Sequence, residues 1–263
     1  METHQLEFKH ICFKYKGNAD LLFRQLDVKV KTGELVGILG TSGSGKTTLT
    51  EILLGQLKPT CREFHILEDG IPVKNVGRNR QWSYVPQKNL LRDYLKVSET
   101  FMTYAEIHLK NVPREQKLEK VNKIISDLGL TQFWNKKVSE LSGGQQRRVS
   151  IGVELLSDSR YFILDEPSSG LDALSDRNLL RTLKIMARTT NKAIIVITHN
   201  TENLSILDKI IFLSQGMPKF VGTFSELLLE FKTTDSYTIS KYLDMNIADI
   251  YQELLASGKI YRI

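Results

Sequence analysis

Apolar and polar residues alternate from Leu6 to Phe13 (Leu6, Phe8, Ile11, Phe13) and again from Leu26 to Val30 (Leu26, Val28, Val30). This is the period of a strand with one face buried. The two segments predict an antiparallel sheet at the edge of a domain, the second closing in the turn Thr32-Gly33. Leu35-Val36-Gly37-Ile38-Leu39 is a nearly continuous apolar run instead, the pattern of a strand covered on both faces in a parallel sheet. Thr47 to Leu57 has helical spacing (Leu49, Ile52, Leu53, Leu57) and closes near Lys58-Pro59. Three more buried strands are predicted at Tyr161 to Leu164, Ala193 to Thr198 and Ile210 to Leu213, separated by helical stretches such as Asp176 to Arg188. Strands alternating with helices imply a parallel sheet with helical crossovers, an α/β fold. Between about Lys88 and Ser157 no strand is evident. Ser98 to Lys110 and Glu115 to Leu128 read there as amphipathic helices, so an all-helical subdomain inserted in the α/β core is expected. Phe224 to Phe231 and Ile239 to Ala256 read as peripheral helices, and no internal repeat or low-complexity segment is evident.

Composition narrows the class. The 263 residues, 41% hydrophobic and 25% charged, suffice for one large domain or two modest ones with a real core. No apolar run approaches the roughly 20 residues that span a bilayer, and Met1-Glu2-Thr3-His4-Gln5 lacks the basic start and apolar stretch of a secretion signal. Cys12 and Cys61 sit far apart and outside any metal-binding spacing; they read as free thiols in a reducing compartment. The net charge of +6 comes from scattered Lys and Arg, such as Lys29-Val30-Lys31 and Lys136-Lys137. That pattern reads as a solvated surface and identifies no partner.

Candidate chemistry begins at Gly40-Thr41-Ser42-Gly43-Ser44-Gly45-Lys46-Thr47-Thr48. Glycines let a backbone wrap phosphate oxygens where side chains would clash, and the loop opens into a predicted helix, whose free N–H groups and dipole favour an anion. Lys46 is placed to neutralise the β- and γ-phosphates of a nucleotide, and Thr47 to offer a hydroxyl to Mg²⁺. The apolar run Tyr161 to Leu164 delivers Asp165 to the carboxyl edge of the sheet, where α/β folds bind ligands. Asp165 is a candidate Mg²⁺ ligand. Glu166, expected on the opposite side of an extended chain, is a candidate for activating water. Leu141-Ser142-Gly143-Gly144-Gln145 precedes a further predicted helix and reads as a second anion-binding N-terminus. One γ-phosphate has no need of two such cradles from one chain, so this loop is expected to serve the nucleotide of another copy.

That pentapeptide is identical to the signature of the ATP-binding-cassette (ABC) family, and residues 5–225 resemble that family throughout. The resemblance implies a RecA-like phosphate-loop core, an antiparallel edge sheet and the inserted helical subdomain near 88–157; residues 226–263, beyond the resemblance, read from their pattern as a C-terminal helical extension. It implies that Gln87, in Val85-Pro86-Gln87, contacts Mg²⁺ and the attacking water and joins the core to the helical subdomain. His199, in Ile197-Thr198-His199, resembles the histidine that contacts the γ-phosphate, and Asp172, in Ser169-Gly170-Leu171-Asp172, the loop that couples two sites across a dimer. Tyr15 resembles the aromatic on which adenine stacks. The expected ligands are therefore ATP and Mg²⁺, in two sites closed head to tail between two copies. Ser142, Gly143, Gly144 and Gln145 of one copy would face the 40–48 loop of the other.

Arg148-Val149-Ser150-Ile151-Gly152-Val153-Glu154-Leu155 and the stretch from Tyr84 to Thr100 resemble the G-type, pigment-, sterol- and multidrug-exporter-like branch. Ser168 departs mildly from the commoner threonine after Pro167. The resemblance implies an ATPase of an exporter on the cytoplasmic face of a membrane. Its partners would be a second ABC ATPase subunit, in a homo- or heterodimer, and a transmembrane permease subunit or domain docked around Leu90 to Val97. A separate subunit is expected in preference to an excised domain. The other reading is a soluble ABC ATPase acting on DNA or ribosomes. Such proteins carry two cassettes or a long coiled coil, whereas 95 residues separate Lys46 from Leu141 here. No nucleic-acid partner is expected.

Overall fold

The computed structural model describes residues 2–17, 20–40, 43–73, 81–88 and 90–230. The predicted helix Ile239 to Ala256 lies outside them, as do Thr41 and Ser42 of the glycine-rich loop. The chain runs β1 (Gln5–Phe13), β2 (Phe23–Lys31), β3 (Leu35–Gly40), α1 (Lys46–Leu53), β4 (His65–Glu68), β5 (Ile71–Pro72) and β6 (Trp82–Val85). It continues through α2 (Val97–His108), α3 (Arg114–Asp127), α4 (Gly143–Leu155), β7 (Tyr161–Asp165), α5 (Ala173–Thr190), β8 (Ala193–Thr198), β9 (Lys209–Ser214), β10 (Met217–Gly222) and α6 (Phe224–Glu230).

Two sheets form. The central one has the order β10-β9-β3-β8-β7-β6, parallel from β9 to β6, with β10 antiparallel at one edge. The smaller one, β2-β1-β4-β5, is antiparallel. The continuous apolar runs make sense in this setting. In β3, Leu35 and Leu39 enter one core while Val36 and Ile38 enter the other. In β7 the split is Phe162 and Leu164 against Tyr161 and Ile163, and in β8 it is Ile194 and Val196 against Ile195 and Ile197. Successive side chains point to opposite faces, so a strand with apolar residues at every position demands cover on both sides. On one face that cover is α1 and the antiparallel sheet, through Phe8, Phe23, Leu26, Leu49 and Ile52. On the other it is α2 to α5, through Phe101, Val149, Ile151, Leu179 and Leu183. Burying each such side chain fully contributes about 1.5–3 kcal/mol, which makes the two cores the main support of the fold.

Several details differ from the sequence pattern. α1 stops at Leu53, before Leu57, because Gly55 takes a left-handed conformation at φ 71° and the chain turns there. The short strands β4, β5 and β6 and the edge strand β10 carry too little alternation to be predicted. Cys12 and Cys61 are not free thiols: they form a disulfide, with Cα atoms 5.5 Å apart. After α1 the chain returns along β1, and Thr60 N–H donates to Cys12 O at 2.8 Å. This path brings together residues 49 positions apart, a proximity that spacing cannot reveal.

α4 crosses α2 and α3 closely at Gly152, where an added Cβ would fall 2.6 Å from the Phe101 ring and 2.8 Å from Leu128. Gly152→Leu should therefore overpack this junction, at a cost of about 1–3 kcal/mol. The expected outcome is a drop in thermal midpoint of about 2–12 °C, read by circular dichroism. An unchanged midpoint would show that the junction has slack.

Candidate functional site

The parallel register brings four strand ends to one edge, in steps of one residue from strand to strand. Leu39 lies opposite Thr198, Ile197 opposite Asp165, and Leu164 opposite Val85. Gly40, His199 and Glu166 follow directly, and Gln87 follows Val85 after Pro86, at the carboxyl edge where the strand order reverses around β3. This is where open α/β sheets bind ligands.

The glycine-rich loop leaves β3 and enters α1. Gly45 caps the helix in a left-handed conformation, φ 100°, and a Cβ there would strike the Phe23 ring at 2.9 Å. Lys46 folds back, its Nζ donating to Gly40 O at 2.5 Å. Burial holds its pKa below the usual lysine value, and the charges of Glu166 and Asp165 oppose that shift; loop and acids thus share one electrostatic environment. Thr47 is exposed in the first turn. Thr48 points elsewhere, its Oγ1 lying 2.6 Å from the hydroxyl of Tyr15. The Tyr15 ring packs edge-on against Phe13 and stays 43% exposed.

A phosphate group fits this loop. Ser44 Oγ is buried and has no hydrogen-bond partner, a costly state for a hydroxyl without an acceptor. Gly43, at φ 79°, faces open space where an added Cβ would meet nothing. A divalent ion fits as well. Among the described residues no group of three or more His, Cys, Asp or Glu could hold a metal by themselves. Mg²⁺, however, takes one or two protein oxygens plus substrate phosphates and water, and Thr47 and Asp165 supply such oxygens.

Asp165 closes β7, and Tyr84 OH donates to its Oδ2 at 3.1 Å. Burial and the adjacent carboxylate push the Tyr84 phenol up to about 12, so it remains a donor at neutral pH. Glu166 is not extended. It adopts φ 46°, so a left-handed turn, rather than strand alternation, parts the two carboxylates. Such a conformation costs a non-glycine residue about 1 kcal/mol or more. Glu166 Oε1 lies 2.9 Å from His199 Nδ1. An ionised carboxylate only accepts, which places the proton of this contact on Nδ1. A cleft of about 730 Å³ opens beside the pair, lined also by Ser169, Leu171 and Asn200.

Gln87 is exposed just past β6. The signature turn is exposed too, and its hydrogen bonds are local. Ser142 Oγ accepts from Gln145 N–H at 3.3 Å while Gln145 Oε1 accepts from Ser142 N–H at 3.0 Å, the reciprocal capping box of a helix start. Leu171 leans over Gly144. Asp172 caps α5, accepting from Leu174 N–H at 3.0 Å and Ser175 N–H at 2.9 Å. Hydrogen bonds from Ser175, side chain first, hold its carboxyl below the usual aspartate range.

Three residues here were not singled out from sequence: Tyr84, Arg147 and Asp176. Arg147, buried in α4, donates to Pro86 O and to Asp165 O, with Gln87 O 3.4 Å away. Nothing in the sequence signals it, since it stands in the polar run Gln145-Gln146-Arg147-Arg148. Asp176 is buried under the His199 loop and accepts from Asn203 Nδ2 at 2.6 Å and Asn200 Nδ2 at 3.1 Å.

A phosphate loop, an acidic pair and a histidine at the carboxyl edge of such a sheet define a phosphate-loop nucleotide hydrolase. The family model described as ABC transporter matches residues 23–169. The chain is 37% identical over 200 residues to ABC transporter G family member 21 of Arabidopsis thaliana, covering 73% of this chain and 30% of that protein. It is 31% identical over 234 residues to the spermidine/putrescine import ATP-binding protein PotA of Borreliella afzelii (strain PKo), covering 89% of this chain and 67% of that one. The solved structure of cbiO1 from Clostridium perfringens, titled as part of the ABC transporter complex cbiONQ, superposes with a TM-score of 0.77. It covers 96% of this chain and 100% of that chain at 23% identity, a likeness of fold. The chain belongs to the ABC transporter family, as an ATP-binding ATPase domain. It spans about a third of the length of the G family relatives it matches, 30% and 35% in two cases.

The capping role of Asp172 is testable by itself. Asp172→Ala should lower the thermal midpoint by freeing two N–H groups of α5, and Asp172→Asn should retain most of the stability. Equal losses in both variants would separate the effect from capping.

Proposed function

We propose that this domain powers export through a membrane permease, as one of two copies that close head to tail on two Mg·ATP. The observation that carries the reading is the signature turn. Its Ser142 and Gly143 are exposed at a helix start, where N–H groups suit a phosphate, while the chain's own phosphate loop already offers a cradle. Export is favoured by the 37% identity to a G family member and by the G-type character of Arg148 to Leu155. Among the described residues no helix is long and apolar enough to cross a membrane. In this reading the domain works from the cytoplasmic face on a membrane component, either a separate subunit or a further domain. Leu90 and Tyr94, 74% and 66% exposed, mark the segment that would receive the permease.

In each site the 40–48 loop binds the phosphates, Lys46 offsets their charge, and Tyr15 offers its exposed ring to adenine. Thr47, Asp165 and Gln87 would hold Mg²⁺, which supplies charge neutralisation on the transferred phosphoryl group. Glu166 orients water for in-line attack and takes up its proton, and His199 holds Glu166 in place while contacting the γ-phosphate. Ser142, Gly143, Gly144 and Gln145 come from the other copy, with Asp172 at the seam. Most of the rate enhancement comes from Lys46 and backbone amides preorganised around developing charge.

Tagged Glu166→Gln protein, purified with ATP from detergent-solubilised membranes, tests the reading. It should bind ATP, scarcely hydrolyse it, run as an ATP-dependent dimer and bring down a multi-span membrane protein in stoichiometric amount. Ribosomal or DNA-associated partners, with no membrane protein, would overturn transport. A second experiment isolates the shared site. Ser142→Arg and Lys46→Ala should each be inactive alone, yet regain part of the activity when mixed, because one heterodimer site then has both halves intact. No recovery in mixtures that form heterodimers would rule against a signature acting across the pair.

A further inference from the structure

The hydrogen-bond ladder between β6 and β7 ends at the pair Val85 and Leu164. Beyond it, the carbonyls of Pro86 and Asp165 have no strand partner in this ladder, although buried main-chain acceptors need one. The guanidinium of Arg147 fills that gap. Nη1 donates to Pro86 O and lies 3.4 Å from Gln87 O, and Nη2 donates to Asp165 O. The side chain is 4% exposed, and its Nε has no partner. It therefore bears the cost of a buried cation without full compensation, which marks it as a weak choice for stability alone. Arg147 stands five residues from Ser142, in the second turn of the helix that the signature opens. One planar group thus ties the signature helix, the Gln87 loop and the strand that carries Asp165 and Glu166. Tyr84 holds Asp165 from the other side, through the carboxylate.

We propose that Arg147 is a positioning residue that fixes the signature helix in register with the Gln87 loop and the acidic pair, so that closure on a partner's nucleotide and correct placement of Asp165 and Glu166 occur together. This rests on the two-copy reading above. Without the three-way tie, each chain still binds ATP on its own loop, because neither Lys46 nor Tyr15 depends on Arg147. The helix N-terminus and the acidic edge then move independently, and both closure and turnover suffer. A displacement of the order of 1 Å at such a junction can reduce rate about a hundredfold.

The test compares Arg147→Met, which keeps the length of the side chain and removes all donors, with Arg147→Lys, which keeps the charge on a single nitrogen. Both are made in the full chain and again in the Glu166→Gln background. Arg147→Met should bind ATP within about threefold of its parent, lower kcat about tenfold or more at little change in KM, and weaken the ATP-dependent dimer by a similar factor. Arg147→Lys should restore part of kcat and of dimerisation, because one ammonium reaches one carbonyl where the guanidinium reaches several. Arg147→Met protein that dimerises and turns over within about twofold of its parent would overturn the role. If Arg147→Met fails to fold, Arg147→Lys decides: reduced kcat at unchanged ATP affinity supports the proposal, and parental kinetics overturns it. The parents serve as the control on the reading beneath. A parent that binds ATP but neither dimerises nor hydrolyses it overturns the two-copy mechanism, whereas a defect confined to the variants reports on Arg147.

Discussion

The parallel hydrogen-bond register of the central sheet is the constraint on which the rest of this molecule depends. Four neighbouring strands ending at Gly40, Thr198, Asp165 and Val85, each one residue short of the last, bring a glycine-rich loop, a histidine, an acidic pair and a glutamine to one edge. No single motif could organise that edge. It exists because each strand is apolar on both faces and is clamped between two cores. A slip of one residue would exchange side chains between the two cores, and each would then be overpacked in places and left with cavities in others.

On that edge, charge is handled by pairing within a partly dry environment. Lys46 and Arg147 are both destabilised as cations by burial, and both are supported by Asp165 and Glu166. Lys46 is held by Gly40 O and Arg147 by the carbonyls of Pro86 and Asp165, so both cations are fixed close to the two carboxylates. The left-handed turn at Glu166 adds local strain, and the contact of its carboxylate with His199 helps to sustain it. A preorganised set of charges of this kind is what phosphoryl transfer requires, since it demands positioning and electrostatic support more than covalent chemistry.

Some of these residues carry structural duties in the single chain. Ser142 and Gln145 form a capping box, and Asp172 caps α5. The same hydroxyl and amides that start a helix are those that suit an anion, because helix starts and phosphate sites ask for the same geometry. Folding of the signature turn and its proposed recognition of nucleotide therefore draw on one local arrangement.

The sequence by itself determined the α/β class, the buried parallel strands and the phosphate loop, because period and glycine placement are local records of which faces are covered and where the backbone must bend. β3, β7 and β8 were legible as continuous apolar runs. β6 and β10 were not, since a four-residue strand and an exposed edge strand leave little periodicity. Tertiary structure alone decided which distant residues meet. The disulfide between Cys12 and Cys61 follows from the return path of the chain. The hold of Tyr84 on Asp165, the cover of Asp176 under the His199 loop and the meeting of Glu166 with His199 follow from strand order. Arg147 was the least legible. It stands in the polar run Gln145-Gln146-Arg147-Arg148, and only the point where the β6–β7 ladder runs out shows that it is buried and which carbonyls it serves. Local pattern encodes burial, and the identity of the partner depends on the packing of elements far apart in the chain.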